Sequence, residues 1–262
     1  MRSTDARIDA IFRNLNKWRE FPCYQLERRL DIFLSIYLKD ILEYALGVQL
    51  KNWVIPEFPI RHKLTGTSGR QGENQSWKVD YIAQSDDSNT LFLIELKTDM
   101  GSRNTNQDYK MRRVADRGDG AAYSLEDLIW GVLQIFEATK SKRKYINLFK
   151  EMRDIGLIEL DPDVDEIVER ESVSRKEMKA AVRKTDILSS AKSQKVHIVY
   201  IQPDADDESP YKAGNKSSAS ADPTISVVGF GKVSEFLKGK SDDDRIAFHL
   251  AESLEQWHKN PV

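Results

Sequence analysis

Residues 91–99 read Leu-Phe-Leu-Ile-Glu-Leu-Lys-Thr-Asp (LFLIELKTD), and the fold turns on how this stretch is read. A nearly unbroken apolar run of this length is the mark of a strand buried on both faces. Side chains alternate along a strand, so Leu91, Leu93, Glu95 and Lys97 share one face, and Phe92, Ile94 and Leu96 share the other. A carboxylate and an ammonium at the end of such a strand lose hydration, at several kcal/mol per ion in order of magnitude, unless partners compensate. The strand end therefore needs either a compensating partner or an exit into water.

Working outward, "SWKVDYIAQ" (76–84) and "TLFLIELK" (90–97) flank the turn-forming "SDDSN", a hairpin signal. Before them, "NWVIPEFPIRHKL" (52–64) is extended, and its two prolines suit an edge strand or a bent one. The intervening "TGTSGRQGENQ" (65–75) has loop composition. The three extended segments read as an antiparallel meander. Ahead of it, apolar residues at helical spacing (Ile8, Ile11, Phe12, Leu15) predict a short helix over 5–18, and a longer one follows Pro22 and stops at Gly47. After Lys97 the chain turns polar, and helical periodicity returns from Ser124 to Met152 as two helices. Residues 157–192 are charge-dense and read as surface helices or an insertion. "KVHIVYIQP" (195–203) is a buried strand, 203–224 a mobile loop, "ISVVGFG" (225–231) a last strand, and 242–258 a closing helix. The expectation is a single α/β domain over 1–262: a mixed central sheet flanked by helices, in the order helix, three strands, helix, strand, with helical additions.

Composition narrows the classes. Of 262 residues, 40% are hydrophobic, and 40 Lys plus Arg against 42 Asp plus Glu leave a net charge of −2, as expected for a soluble globular chain. This excludes a bulk basic coat, though local patches can still hold nucleic acid. The single cysteine, Cys23, excludes an internal disulfide and a zinc ribbon. No stretch approaches the roughly 20 apolar residues of a membrane span, and the N-terminal residues do not read as a signal peptide. A cytoplasmic location is expected. His62, His197, His249 and His258 are scattered without zinc-like spacing, and no G-x-S-x-G elbow or phosphate-loop spacing is present. Trp53, Trp77 and Trp130 read as core residues.

Upstream of Glu95, Asp80 closes "WKVD" in the neighbouring strand. Two carboxylates brought to one strand end beside Lys97 make an oxygen-rich pocket suited to a hard divalent cation. "VD" followed after fourteen residues by "ELK", in adjacent strands after a long helix, resembles the PD-(D/E)XK (restriction-endonuclease-like) nuclease superfamily, with Val79 where the motif's proline would stand. The family's element order matches roughly residues 24–202. The resemblance implies metal-dependent hydrolysis of a DNA phosphodiester bond, with Mg²⁺ or Mn²⁺ on Asp80 and Glu95 and with Lys97 orienting the attacking water.

Many members add a glutamate from the first core helix. Glu27, on the face of Leu30, Leu34 and Ile41, is the first choice and Glu43 the second. Gln107 is a further candidate, although "QDY" departs from the three-residue Gln–Tyr spacing of the exonuclease-like branch. Lys110, Arg112 and Arg113, then Lys142, Arg143 and Lys144, are the expected phosphate contacts. Expected partners are DNA and, as an option, a second copy of the chain, with no membrane. The competing reading is a module on the same fold that binds nucleic acid or a protein without cutting.

Overall fold

A computed structural model describes residues 4–22, 24–65, 75–99, 104–119, 121–139, 142–162, 166–167, 170, 174, 176–177, 180, 183–203 and 225–259. The chain is α/β, with a five-stranded mixed sheet in the order β1-β2-β3-β6-β7 and a separate two-stranded sheet, β4-β5. The strands are β1 (Ile55–Arg61), β2 (Ser76–Gln84), β3 (Thr90–Leu96), β4 (Ile158–Leu160), β5 (Thr185–Ile187), β6 (Lys195–Gln202) and β7 (Ile225–Gly229). The helices are α1 (Thr4–Trp18), α2 (Leu26–Leu46), α3 (Thr105–Ala115), α4 (Leu125–Ala138), α5 (Lys142–Asp154), α6 (Phe230–Lys238) and α7 (Arg245–Lys259). Residues divide into two compact units, one of 1–52, 94–105 and 198–262, the other of 53–93 and 106–197. Among the described residues no helix is long and apolar enough to cross a membrane.

In the first unit, α2 buries Leu26, Leu30, Leu34, Tyr37, Leu38, Ile41 and Leu42, a stripe at helical spacing. It ends where the sequence places its stop. Gly47 takes the left-handed conformation (φ 67°), and its N–H bonds the carbonyl of Glu43 at 3.0 Å. The parallel strands β6 and β7 pair from Ile198 opposite Ile225 to Gln202 opposite Gly229, the geometry that requires a crossover connection. That connection, the expected mobile loop of 203–224, lies almost wholly outside the described residues, as does most of the expected loop at 65–75.

The last strand was expected over 225–231, but it ends at Gly229, and Phe230 opens helix α6, which buries Phe230, Val233 and Leu237 at helical spacing. Helix α7 is started by Asp244, whose Oδ1 accepts the N–H groups of Ile246 and Ala247, both at 3.0 Å. Its Oδ2 accepts the Tyr37 hydroxyl at 2.6 Å. Burial pushes the Asp244 carboxyl up, but the Tyr37 hydrogen bond and the two helix N–H groups outweigh it, and the net direction is down. A carboxyl depressed on folding stabilises the native state above its unfolded pKa, about 3.9, and this contribution fades as pH falls below that value. Asp244→Ala is therefore expected to lose about 1–2 kcal/mol at neutral pH. The gap from the parent chain should narrow below about pH 4, as urea titrations across the acid range would read.

In the second unit, β1 and β2 pair antiparallel, with Ile55 opposite Ile82, Phe58 opposite Val79 and Ile60 opposite Trp77. The turn after β2 closes with Ser85 N–H on the Thr90 carbonyl at 2.9 Å. Asp87 accepts the Ser85 hydroxyl at 2.5 Å and the Asn89 N–H at 2.9 Å, which is the work "SDDSN" is composed to do. Helix α4 opens on a capping box between Ser124 and Asp127.

Gly131 lets α4 approach β1, since a Cβ there would stand 3.3 Å from both Arg61 Cβ and Leu64 Cδ1. Gly131→Val is expected to destabilise by about 1–3 kcal/mol through overpacking, read as a lower urea midpoint.

The expectation for Trp130 is revised. Trp130 is not core: it is 45% exposed on α4, while Trp53 and Trp77 are buried. Within 157–192, read as surface helices or an insertion, Ile158–Leu160 and Thr185–Ile187 pair as a two-stranded antiparallel sheet, and described residues between the two strands include helical ones. Three-residue strands of mixed charge carry too little alternation to be told from a charged helix face.

Candidate active site

The end of β3 does not emerge into water. Glu95 is 1% exposed and Lys97 6%. Lys97 follows the last strand residue, and its backbone N–H donates to the Ile201 carbonyl of β6 at 2.8 Å, which fixes where the side chain starts. Its ammonium donates to Glu95 Oε1 at 2.6 Å and lies 3.7 Å from Glu27 Oε2. One buried cation thus lies between a buried carboxylate and a half-buried one. Alternation along the strand brings Glu95 and Lys97 to one face, and the first turn of α2 supplies Glu27 one turn before the buried Leu30.

All three belong to the first unit, where the ion-pair distances bring Glu27, Glu95 and Lys97 together. Glu43, the second choice on α2, serves elsewhere: it accepts Lys39 Nζ at 2.8 Å and the Leu50 N–H at 2.9 Å. These bonds, the Leu50 N–H first, hold its carboxyl below the usual range, as suits a residue that ties down the chain after the helix.

Asp80 belongs to the second unit and is half-buried on β2 between buried Val79 and Tyr81. Gln107 is half-buried on α3, next to buried Asp108. Of the expected phosphate contacts, Lys110, Arg112 and Arg113 are half-buried on α3, and Lys144 is exposed on α5. The side chains of Lys142 and Arg143 lie outside the described residues. Of the histidines, His62 is buried, its pKa lowered by burial and then by the nearby Lys110 charge, and His249 Nε2 meets Asp9 Oδ1 at 2.8 Å.

The donor chemistry around Lys97 fits a hard divalent cation, since carboxylate oxygens are what Mg²⁺ and Mn²⁺ take. Among the described residues no group of three or more His, Cys, Asp or Glu is arranged to hold a metal ion. A Mg²⁺ site with one or two carboxylates and several retained waters needs no such group.

The sequence reading missed a cleft of about 650 Å³ in the second unit, lined by Ile55, Pro56, Glu57, Pro59, Lys78, Lys144, Tyr145, Leu148 and Glu151. It joins three distant stretches, and only the basic run ending at Tyr145 pointed to it. No protein-family model, curated protein or solved structure gives a significant match to the chain.

Proposed function

We propose that the chain is a metal-dependent nuclease of the PD-(D/E)XK type that hydrolyses DNA phosphodiester bonds. The observation that carries this reading is the buried Lys97–Glu95 pair with Glu27 alongside. Apolar residues of similar volume would stabilise a strand end at least as well as a buried ion pair, so stability is a weak reason to keep one there. A charged substrate is a better one.

In this reading Glu95 and Glu27 supply oxygen ligands, and the sequence resemblance implies Asp80 as a further one. A bound Mg²⁺ or Mn²⁺ would supply Lewis-acid polarisation of the phosphate and a more acidic water. Lys97 positions the attacking water and stabilises charge that develops on the phosphate oxygens. The walls around the pair exclude bulk water, which strengthens both effects.

A second reading also has an observation behind it. The Lys97 ammonium sits directly on the Glu95 oxygen that a metal would take, as befits a module on the same fold that binds without cutting. Metal binding separates the two. Titration with Mn²⁺ is expected to give a site that Asp80→Ala and Glu95→Gln each weaken at least tenfold. DNA binding that depends on salt and is indifferent to Mn²⁺ and to both variants would favour the module.

A further inference from the structure

The cleft of the second unit is lined by Ile55, Pro56 and Pro59 of β1 and by Tyr145 and Leu148 of α5. Helix α5 buries Ile146, Phe149 and Met152 in the core, while Lys144, Tyr145, Leu148 and Glu151 follow a different helical stripe that lines the opening. Charged and apolar groups share the lining: ammonium groups come from Lys78 and Lys144, carboxylates from Glu57 and Glu151. The Lys78 ammonium bonds the Glu57 carboxylate. Glu57 also holds a left-handed backbone (φ 51°), unusual for a residue other than glycine, Asn or Asp. Strain of that kind persists where the surroundings impose it, and it gathers at ligand sites. The volume, about 650 Å³, lies within the range of small-ligand pockets.

We infer that this cleft is a subsite for one nucleotide of a single nucleic-acid strand. A flat base needs apolar walls and an aromatic face, which the prolines, Leu148 and Tyr145 supply. Its exocyclic amine needs an acceptor, which Glu57 and Glu151 offer. Its phosphate needs a cation reaching solvent, and Lys144 is exposed. A lipid tail would find two carboxylates and two ammonium groups in its way. The inference takes its substrate class from the nuclease reading and adds where a strand is held. The Tyr145 ring also packs against Phe136, 6.3 Å away between centroids.

The test is binding of a short fluorescein-labelled oligodeoxyadenylate to the full chain in EDTA, followed by anisotropy across a salt series. Tyr145→Ala is expected to weaken binding about tenfold, and Tyr145→Phe to restore it. Lys144→Ala, at an exposed position with little bearing on folding, is expected to reduce the salt slope by about one. Wild-type affinity and slope in both Tyr145→Ala and Lys144→Ala would overturn the inference. EDTA separates this result from cleavage: cutting that is indifferent to Tyr145 and Lys144 sinks the subsite alone, and Tyr145-dependent binding without cutting sinks the nuclease alone.

Discussion

Lys97→Met will unfold at about 3–5 kcal/mol less free energy than the parent chain, the usual cost of breaking a buried ion pair by removing one partner. The Glu95 side chain is 2% exposed and the Lys97 side chain 7%, so water cannot replace the lost ammonium. Glu27 makes matters worse, because its carboxylate, 36% exposed, then faces Glu95 with no cation between them.

The mirror variant, Glu95→Gln, will cost less. It leaves the ammonium with Glu27 and a neutral amide of the same shape. The double variant Glu95→Gln/Lys97→Met should be more stable than Lys97→Met alone, the sign of coupling that a double-mutant cycle reads for one shared charge pair. Mn²⁺ should recover part of the loss in Lys97→Met, because a cation that binds only the folded carboxylates stabilises by mass action. Urea titrations of the four chains, with and without Mn²⁺, measure all of this.

Trp257→Ala will cost about 3–5 kcal/mol, the range for emptying a large aromatic from a packed core. Trp257 is 0% exposed, and it joins the two ends of the sequence within the first unit. Its indole N–H donates to Asn16 Oδ1 at 2.9 Å, at the end of α1. The Arg19 guanidinium lies over its ring at 5.5 Å, and Phe230 of α6 stands 6.4 Å away between ring centroids. Removing the indole therefore opens a cavity, orphans Asn16 and strips the buried Arg19 of its aromatic face. Trp257→Phe should keep most of the volume and lose about 1–2 kcal/mol, chiefly the hydrogen bond and the smaller ring.

Much of the architecture is legible in local pattern. The run 91–96 is buried at every position, and Gly47 and Pro22 punctuate the helices as their backbone chemistry demands. The shared face of Glu95 and Lys97 is legible in strand alternation, whereas Glu27 is singled out by the glutamate that the resemblance implies on the first core helix. What stayed hidden depends on tertiary placement or on short elements. Trp130 lies between core positions Ile129 and Gly131, and nothing local says that α4 turns it outward. Strands β4 and β5 are too short to show a period. The cleft exists only because 55–59, 78 and 144–151 meet in space.

The central claim, that the buried strand end cuts DNA, is tested most directly by cleavage itself. Supercoiled plasmid and single-stranded DNA are incubated with the chain in Mn²⁺, in Mg²⁺ and in EDTA, beside Glu95→Gln and a Lys97→Ala variant shown by circular dichroism to be folded. Cutting that requires the metal and vanishes in both variants is the predicted result. Folded wild-type chain that leaves both DNAs intact in either metal, or cutting that survives in both variants, would contradict it.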